Sequence, residues 1–120
     1  MFEKIAIVNN DDFIIGYEDK MKVHELGILH RAFSVFIFND KNELLLQKRA
    51  ANKYHSSSLW SNTCCSHLRL NERMEAAAIL RLYIEMGIKC DLKFIKKFSY
   101  SIVLENNLIE NEIDYIYFGW

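Results

Sequence analysis

One stretch of this sequence, residues 71–86, carries a full helical signature, and it stands among β-rich runs. That combination restricts the fold more than any other feature. Asn71 is placed to cap the helix, glutamates occupy its first turn, and Gly87 falls where a left-handed C-terminal residue belongs. Ile79, Leu82, Tyr83 and Met86 make one apolar stripe, and Ala77, Ala78, Arg81 and Glu85 a second, small-residue face. Before the helix, residues 3–9 and 13–17 read as strands around an Asn10-Asp11-Asp12 turn. Residues 31–39 and 43–49 read as an antiparallel hairpin around Asn39-Asp40-Lys41-Asn42. After it, residues 92–104 and 108–118 form a further hairpin around Glu105-Asn106-Asn107. Strand pairs flanking a single helix predict an α+β domain with a mixed or antiparallel sheet, not the βαβ alternation of a doubly wound fold.

No repeat or linker interrupts the 120 residues, which read as one domain, and 51% hydrophobic content suffices for a core. The glycines Gly16, Gly27, Gly87 and Gly119 stand too far apart for a dinucleotide fingerprint or a P-loop. Fifteen basic residues against 16 acidic ones leave no electrostatic footprint for nucleic acid or an anionic membrane. No apolar run approaches the roughly 18 residues of a membrane span. Three cysteines, an odd count without a signal peptide, suit a reducing cytoplasm. The chain stops on apolar Ile116-Tyr117-Phe118-Gly119-Trp120, whereas natural ends are usually polar, so the domain is expected to be cut short at its C-terminus.

His24, His30 and His67 invite a metal hypothesis. Glu110 and Glu112, two apart on an expected strand, point to one face and need a cation to offset their repulsion. Three imidazoles and two carboxylates suit zinc, manganese or iron and not calcium. On spacing alone, however, no two histidines show a standard zinc interval. The plain reading is then a solvated edge strand with scattered histidines. Cys65 is read two ways, as a small buried hydrophobe or, given Trp60, Ser61, Asn62 and His67 nearby, as part of a pocket wall. Lys20, Lys48, Arg49, Lys53 and Arg81 could converge on a phosphate or diphosphate, or form an ordinary solvated face.

The stretch 66–88 resembles a Nudix box. Gly87, Ile88, Glu85 and Glu72 hold pattern positions, while Ser66, Leu80-Arg81 and Ile84 depart from it. With one glutamate left near the catalytic face, the helix could hold one magnesium on a diphosphate but is poorly equipped for hydrolysis. Four further segments resemble hallmark stretches of type I isopentenyl diphosphate isomerases. They are Gly27-Ile28-Leu29-His30-Arg31-Ala32-Phe33-Ser34-Val35-Phe36-Ile37-Phe38-Asn39, Leu44-Leu45-Leu46-Gln47-Lys48-Arg49, Trp60-Ser61-Asn62-Thr63-Cys64-Cys65-Ser66-His67 and Glu110-Asn111-Glu112.

The resemblance implies a Nudix-like mixed sheet with a flanking Nudix-box helix, and interconversion of isopentenyl and dimethylallyl diphosphate. It implies a manganese or zinc site at His24, His30, His67, Glu110 and Glu112. Cys65 and Glu112 become the catalytic pair, with Tyr100 assisting Glu112. Glu85 would hold a magnesium bridging to the diphosphate, helped by Lys20, Arg49, Lys53 and Arg81. The implied partner is a small isoprenoid diphosphate, with no nucleic acid and no membrane. Members of that family continue some tens of residues past the paired glutamates, which supports the expectation of a missing C-terminal part. The alternatives are an inactive or binding-only Nudix-like domain and a Nudix diphosphate hydrolase.

Overall fold

The computed structural model describes residues 3–48 and 60–120. Two short runs, β1 (Lys4–Val8) and β2 (Ile14–Asp19), form an antiparallel hairpin. Asn9 shapes the turn between them by accepting the backbone N–H groups of Asp11 and Phe13. A short helix, α1 (Lys20–Leu26), follows directly. The strand-and-turn pattern does not announce it, because seven residues are too few to show a periodic stripe. It stops at Gly27, whose φ of 68° favours glycine and where an added Cβ would meet Ile109 at 3.1 Å.

The chain then enters β3 (His30–Ile37), rich in Phe, Val and Ile and buried along nearly its whole length. The strand pairs β4 (Gln47–Lys48) with β5 (Trp60–Ser61), and β6 (Cys64–His67) leads to the long helix α2 (Met74–Met86). The hairpin of β7 (Lys93–Val103) and β8 (Ile109–Gly119) ends the fold. Its turn puts Asn106 and Asn107 in the left-handed region, which asparagine tolerates. Strand order in the main sheet is β2-β1-β3-β8-β7, with β6 also alongside β3. β3 and β8 run parallel and the other pairs antiparallel, so the expected mixed sheet is present.

Three expectations need correction. Among the described residues, the expected hairpin partner of β3 over residues 43–49 does not extend beyond its first few residues. The Asn39 side chain accepts the N–H groups of Lys41 and Glu43, Asn42 adopts φ 59°, and antiparallel contact with β3 is limited to the Phe38–Leu44 bridge, flanked by Asn39–Glu43 and Leu45–Ile37 backbone hydrogen bonds, before the chain departs. A strand apolar on both faces needs neighbours on both edges, and β3 takes β8 on one with β1 and β6 sharing the other. Asn71 is not the N-cap of α2: it lies in a turn at φ 66°, and Arg73 precedes the first helical residue. The apolar stripe is also shifted. Leu82 is buried with Ala77 and Ala78 against Phe33, Val35, Cys64 and Tyr117, and Ile79 and Met86 pack partly buried beside them, whereas Tyr83 is half-exposed beneath the Lys89 ammonium.

A buried carboxylate ties the β1–β2 turn to this sheet. Asp12 receives hydrogen bonds from Arg31, Lys97 and Tyr115, drawing together β3, β7 and β8. Burial alone would raise its pKa. The bonds from Lys97 and Tyr115, with the Arg31 charge, reverse that and leave it below the ordinary 3.8. A folded pKa below the unfolded one gives stability that is present above about pH 4 and lost as pH falls through the folded value. Asp12→Asn is therefore expected to cost about 1–3 kcal/mol at pH 7, because it leaves partly buried donors short of an anion. In urea unfolding, that difference should shrink as pH falls below about 4 and vanish once it passes the lower folded pKa, where the parent carboxylate is itself protonated.

Candidate active site

Directly paired residues share one face of a sheet. The registers His30 with Glu112, Ala32 with Asp114 and His67, Ser34 with Cys65, and Tyr100 with Glu112 gather the polar side chains on a single face. Phe33, Val35, Cys64 and Tyr117 alternate onto the other face, where α2 packs. β6 thus divides the adjacent cysteines: Cys64 is buried toward α2, and Cys65 is half-buried on the polar side. Helix α1 adds His24 to that polar side.

The imidazoles of His24, His30 and His67 form a near-equilateral triangle, with ring centroids 5.0 to 5.1 Å apart. With Glu112 they make a buried group whose candidate ligand atoms lie within 4.8 Å of one another. The surroundings fix the tautomers. His24 Nδ1 donates to the Lys20 carbonyl at 2.8 Å and His30 Nδ1 to the Ile28 carbonyl at 2.9 Å. Such outer contacts hold the Nε2 lone pair inward, as in metal-ligating histidines. Burial lowers the His24 pKa and pushes His67 down to about 4, so both rings are neutral at pH 7. Burial would raise the Glu112 pKa, but contacts from His30 and His67 hold it below its ordinary range.

His30 Nε2 lies only 3.1 Å from the Glu112 carboxylate, and His67 Nε2 lies 3.3 Å from the same oxygen. His67 Nδ1 is buried without a hydrogen-bond partner. Imidazole nitrogens and a carboxylate oxygen converging at such distances can hold a cation between them. Three imidazole nitrogens and one carboxylate fit a borderline divalent ion of the zinc or manganese type.

Glu110 is not in that four-residue group. Its Oε1 lies 3.1 Å from the Tyr100 hydroxyl, which is 2.8 Å from Glu112 Oε1. Burial, reinforced by the Glu112 and Glu110 charges, raises the Tyr100 pKa, so the phenol keeps its proton and donates. These glutamates do not lie on a solvated edge strand. β8 runs between β3 and β7, and Glu112 is only 4% exposed.

Asp114 and Ser34 escaped notice in the sequence. The Ser34 hydroxyl donates to Asp114 Oδ2 at 2.8 Å, while burial and the two neighbouring glutamates push Asp114 up to about 7. The period-two row Glu110, Glu112, Asp114 was the available signal.

Glu85 and Arg81 stand apart from this group. They lie on α2 as an i,i+4 ion pair of 2.8 Å, with side chains about one-fifth exposed. Glu85 Oε1 also accepts from Gln47 Nε2 at 3.2 Å and faces the Cys64 thiol at 3.7 Å. One accessible carboxylate matches the way Mg2+ is held, by few protein oxygens plus substrate phosphates. Lys20 opens α1 close enough for its charge to contribute to lowering His24 and His67. Arg49 and Lys53 lie outside the described residues.

The NUDIX domain family matches residues 28–120. Isopentenyl-diphosphate Delta-isomerase 2 of Photorhabdus laumondii is 51% identical over 119 residues, covering 99% of this chain and 67% of its own length. Isopentenyl-diphosphate Delta-isomerase 1 of Aromatoleum aromaticum is 54% identical, with the same 99% and 67% coverage. The Delta-isomerase of Serratia proteamaculans is 48% identical, at 99% and 66%. The chain thus spans about two thirds of the length of these relatives. Among solved structures, DR0079 of Deinococcus radiodurans superposes with a TM-score of 0.72 at 15% identity, over 97% of this chain and 72% of that one. The MutT protein of Methanosarcina mazei Go1 does so with a TM-score of 0.64 at 16% identity, over 77% and 63%. At such identities the likeness is one of fold.

The donor geometry predicts that the chain binds one equivalent of Zn2+ or Mn2+. His67→Ala should weaken that binding by about 10–100-fold or more, the loss that even outer partners of a ligand produce. Glu85→Gln should leave it unchanged. Equilibrium dialysis reads both, and parent-strength binding by the His67 variant would exclude the four-donor site.

Proposed function

The chain belongs to the Nudix family and, within it, to the isopentenyl-diphosphate Delta-isomerases, and from that premise we propose that it interconverts isopentenyl and dimethylallyl diphosphate. The observation that carries this reading is one polar sheet face bearing a metal-type donor group, the Tyr100–Glu112 hydrogen bond and the Cys65 thiol.

The reaction adds a proton to the terminal carbon of an unactivated alkene and removes another from the methylene beyond the branch. It passes through a tertiary carbocation. One proton enters and one leaves, so no redox partner is needed. Glu112 and Cys65 are assigned the two proton transfers, one on each side of the five-carbon chain. Tyr100, held protonated, donates to Glu112 and steadies the carboxyl oxygen that exchanges the proton.

An Mn2+ or Zn2+ ion held by His24, His30, His67 and Glu112, with Glu110 beside them on the Tyr100 hydroxyl, would supply the fixed positive charge that sets the acidity of that carboxyl. Mg2+ at Glu85 would offset charge on the diphosphate, with Lys20, Arg49, Lys53 and Arg81 as its cationic contacts. The diphosphate gives binding energy remote from the reacting carbons. No described helix is long and apolar enough to cross a membrane, and the three cysteines are free thiols, which fits action in the cytoplasm.

Deuterium uptake from D2O into isopentenyl diphosphate, with divalent metal present, tests the assignment. Cys65→Ala should lower turnover by about 10²–10⁴-fold, the usual weight of a positioned acid or base, with metal content unchanged. Turnover at the parent level in that variant would show the acid–base pair to be wrong. Release of orthophosphate or of a nucleotide would instead favour a hydrolase.

A further inference from the structure

Gln47 has no role in the chemistry above, yet its placement is closely specified. It sits on the two-residue strand β4, and its Nε2 group has two hydrogens to give. One goes to the Thr63 carbonyl at 2.9 Å and the other to Glu85 Oε1 at 3.2 Å. Turning the amide over would set its oxygen against both acceptors, so the two contacts together fix its orientation.

Thr63 is anchored in turn. It is fully buried, its hydroxyl accepts from the Ile37 N–H at 3.0 Å, and it donates to the Leu45 carbonyl. A rigid frame drawn from β3, residues 45–47 and the start of β6 therefore ends on one oxygen of one glutamate. Arg81 holds the other oxygen, and the Cys64 thiol, kept protonated by burial and by the Glu85 charge, adds a weak third donor. A carboxylate offers about four lone-pair positions. Three are then occupied from the protein side, and the partly exposed Glu85 has one left to present outward.

We propose that Gln47 is a positioning residue: it orients the Glu85 carboxylate for a divalent cation carried on the substrate's diphosphate. This rests on the assignment of Glu85 as the holder of that cation. A plain cross-link between β4 and α2 would need only one hydrogen bond of any orientation. It would affect stability and not the metal dependence of ligand binding.

The test is calorimetric titration of inorganic diphosphate into the chain, once with saturating Mg2+ and once with EDTA. Gln47→Met keeps the length of the side chain and removes the donor. It should lower the Mg2+-dependent affinity about tenfold, the low end of what outer partners of a metal ligand contribute, and leave the EDTA affinity within twofold. Gln47→Glu, which turns the donor into an acceptor of the same shape, should act in the same direction and serves where the methionine variant folds poorly. Unchanged Mg2+ dependence in both variants, or an equal loss with and without Mg2+, would overturn the proposal. Glu85→Gln separates the premise from it. Loss of the Mg2+ increment in Glu85→Gln with none in Gln47→Met refutes the role of Gln47 alone. An intact increment in Glu85→Gln refutes the premise.

Discussion

The parallel pairing of β3 with β8 is the constraint on which the site depends. Eight consecutive pairs, from His30 with Glu112 to Ile37 with Gly119, lock the two strands in one register. Because side chains alternate with a period of two, a slip of one residue would send Glu112 and Asp114 toward α2 and bring Tyr115 and Tyr117 among the histidines. β6 on the other edge of β3 depends on the same strand, so Cys65 and His67 are placed by it too. Gly119 shows how tightly the far end is packed, since an added Cβ would lie 2.8 Å from Ile37 Cδ1 and 2.9 Å from Leu92 Cδ2.

The sheet therefore has two chemically opposed faces. Phe33, Val35, Tyr117 and the small residues of α2 supply apolar burial on one. The other buries imidazoles and carboxylates, a costly arrangement unless each group is bonded or paired. Most of that cost is offset locally: carbonyls take the His24 and His30 Nδ1 protons, Ser34 serves Asp114, and Tyr100 serves Glu112. The convergence of three imidazoles on the Glu112 carboxylate is the feature a divalent cation would use. A concentration of shifted pKa values in one place is the usual mark of a functional centre.

Legibility in the sequence followed the range of the forces involved. The β7–β8 hairpin and the Gly87 stop of α2 were readable because asparagine turns and a left-handed glycine act through their own backbone. Among the described residues, the expected pairing of residues 43–49 with β3 shrinks to one bridge, because the Asn39 side chain organises that loop for itself and the edges of β3 are filled by strands distant in sequence. Helix α1 left no periodic trace, although Gly27 marks its end. Motif resemblance named His24, His30, His67 and Glu112 without any geometric reason to group them. Spacing alone set them among scattered surface residues.

Residue types and alternation were determined by the sequence itself: a β-rich chain with one long helix, a row of carboxylates on one side of the last strand, and histidines in three separate segments. Those properties are local, governed by backbone preference and side-chain period. Tertiary structure decided that His24 on α1, His30 on β3, His67 on β6 and Glu112 on β8 meet in one buried group, that Cys64 and Cys65 part to opposite faces, and that Gln47 reaches Glu85. Such meetings join residues as distant in sequence as His24 and Glu112, and they exist only once strand order and register have been selected by burying the apolar face against α2.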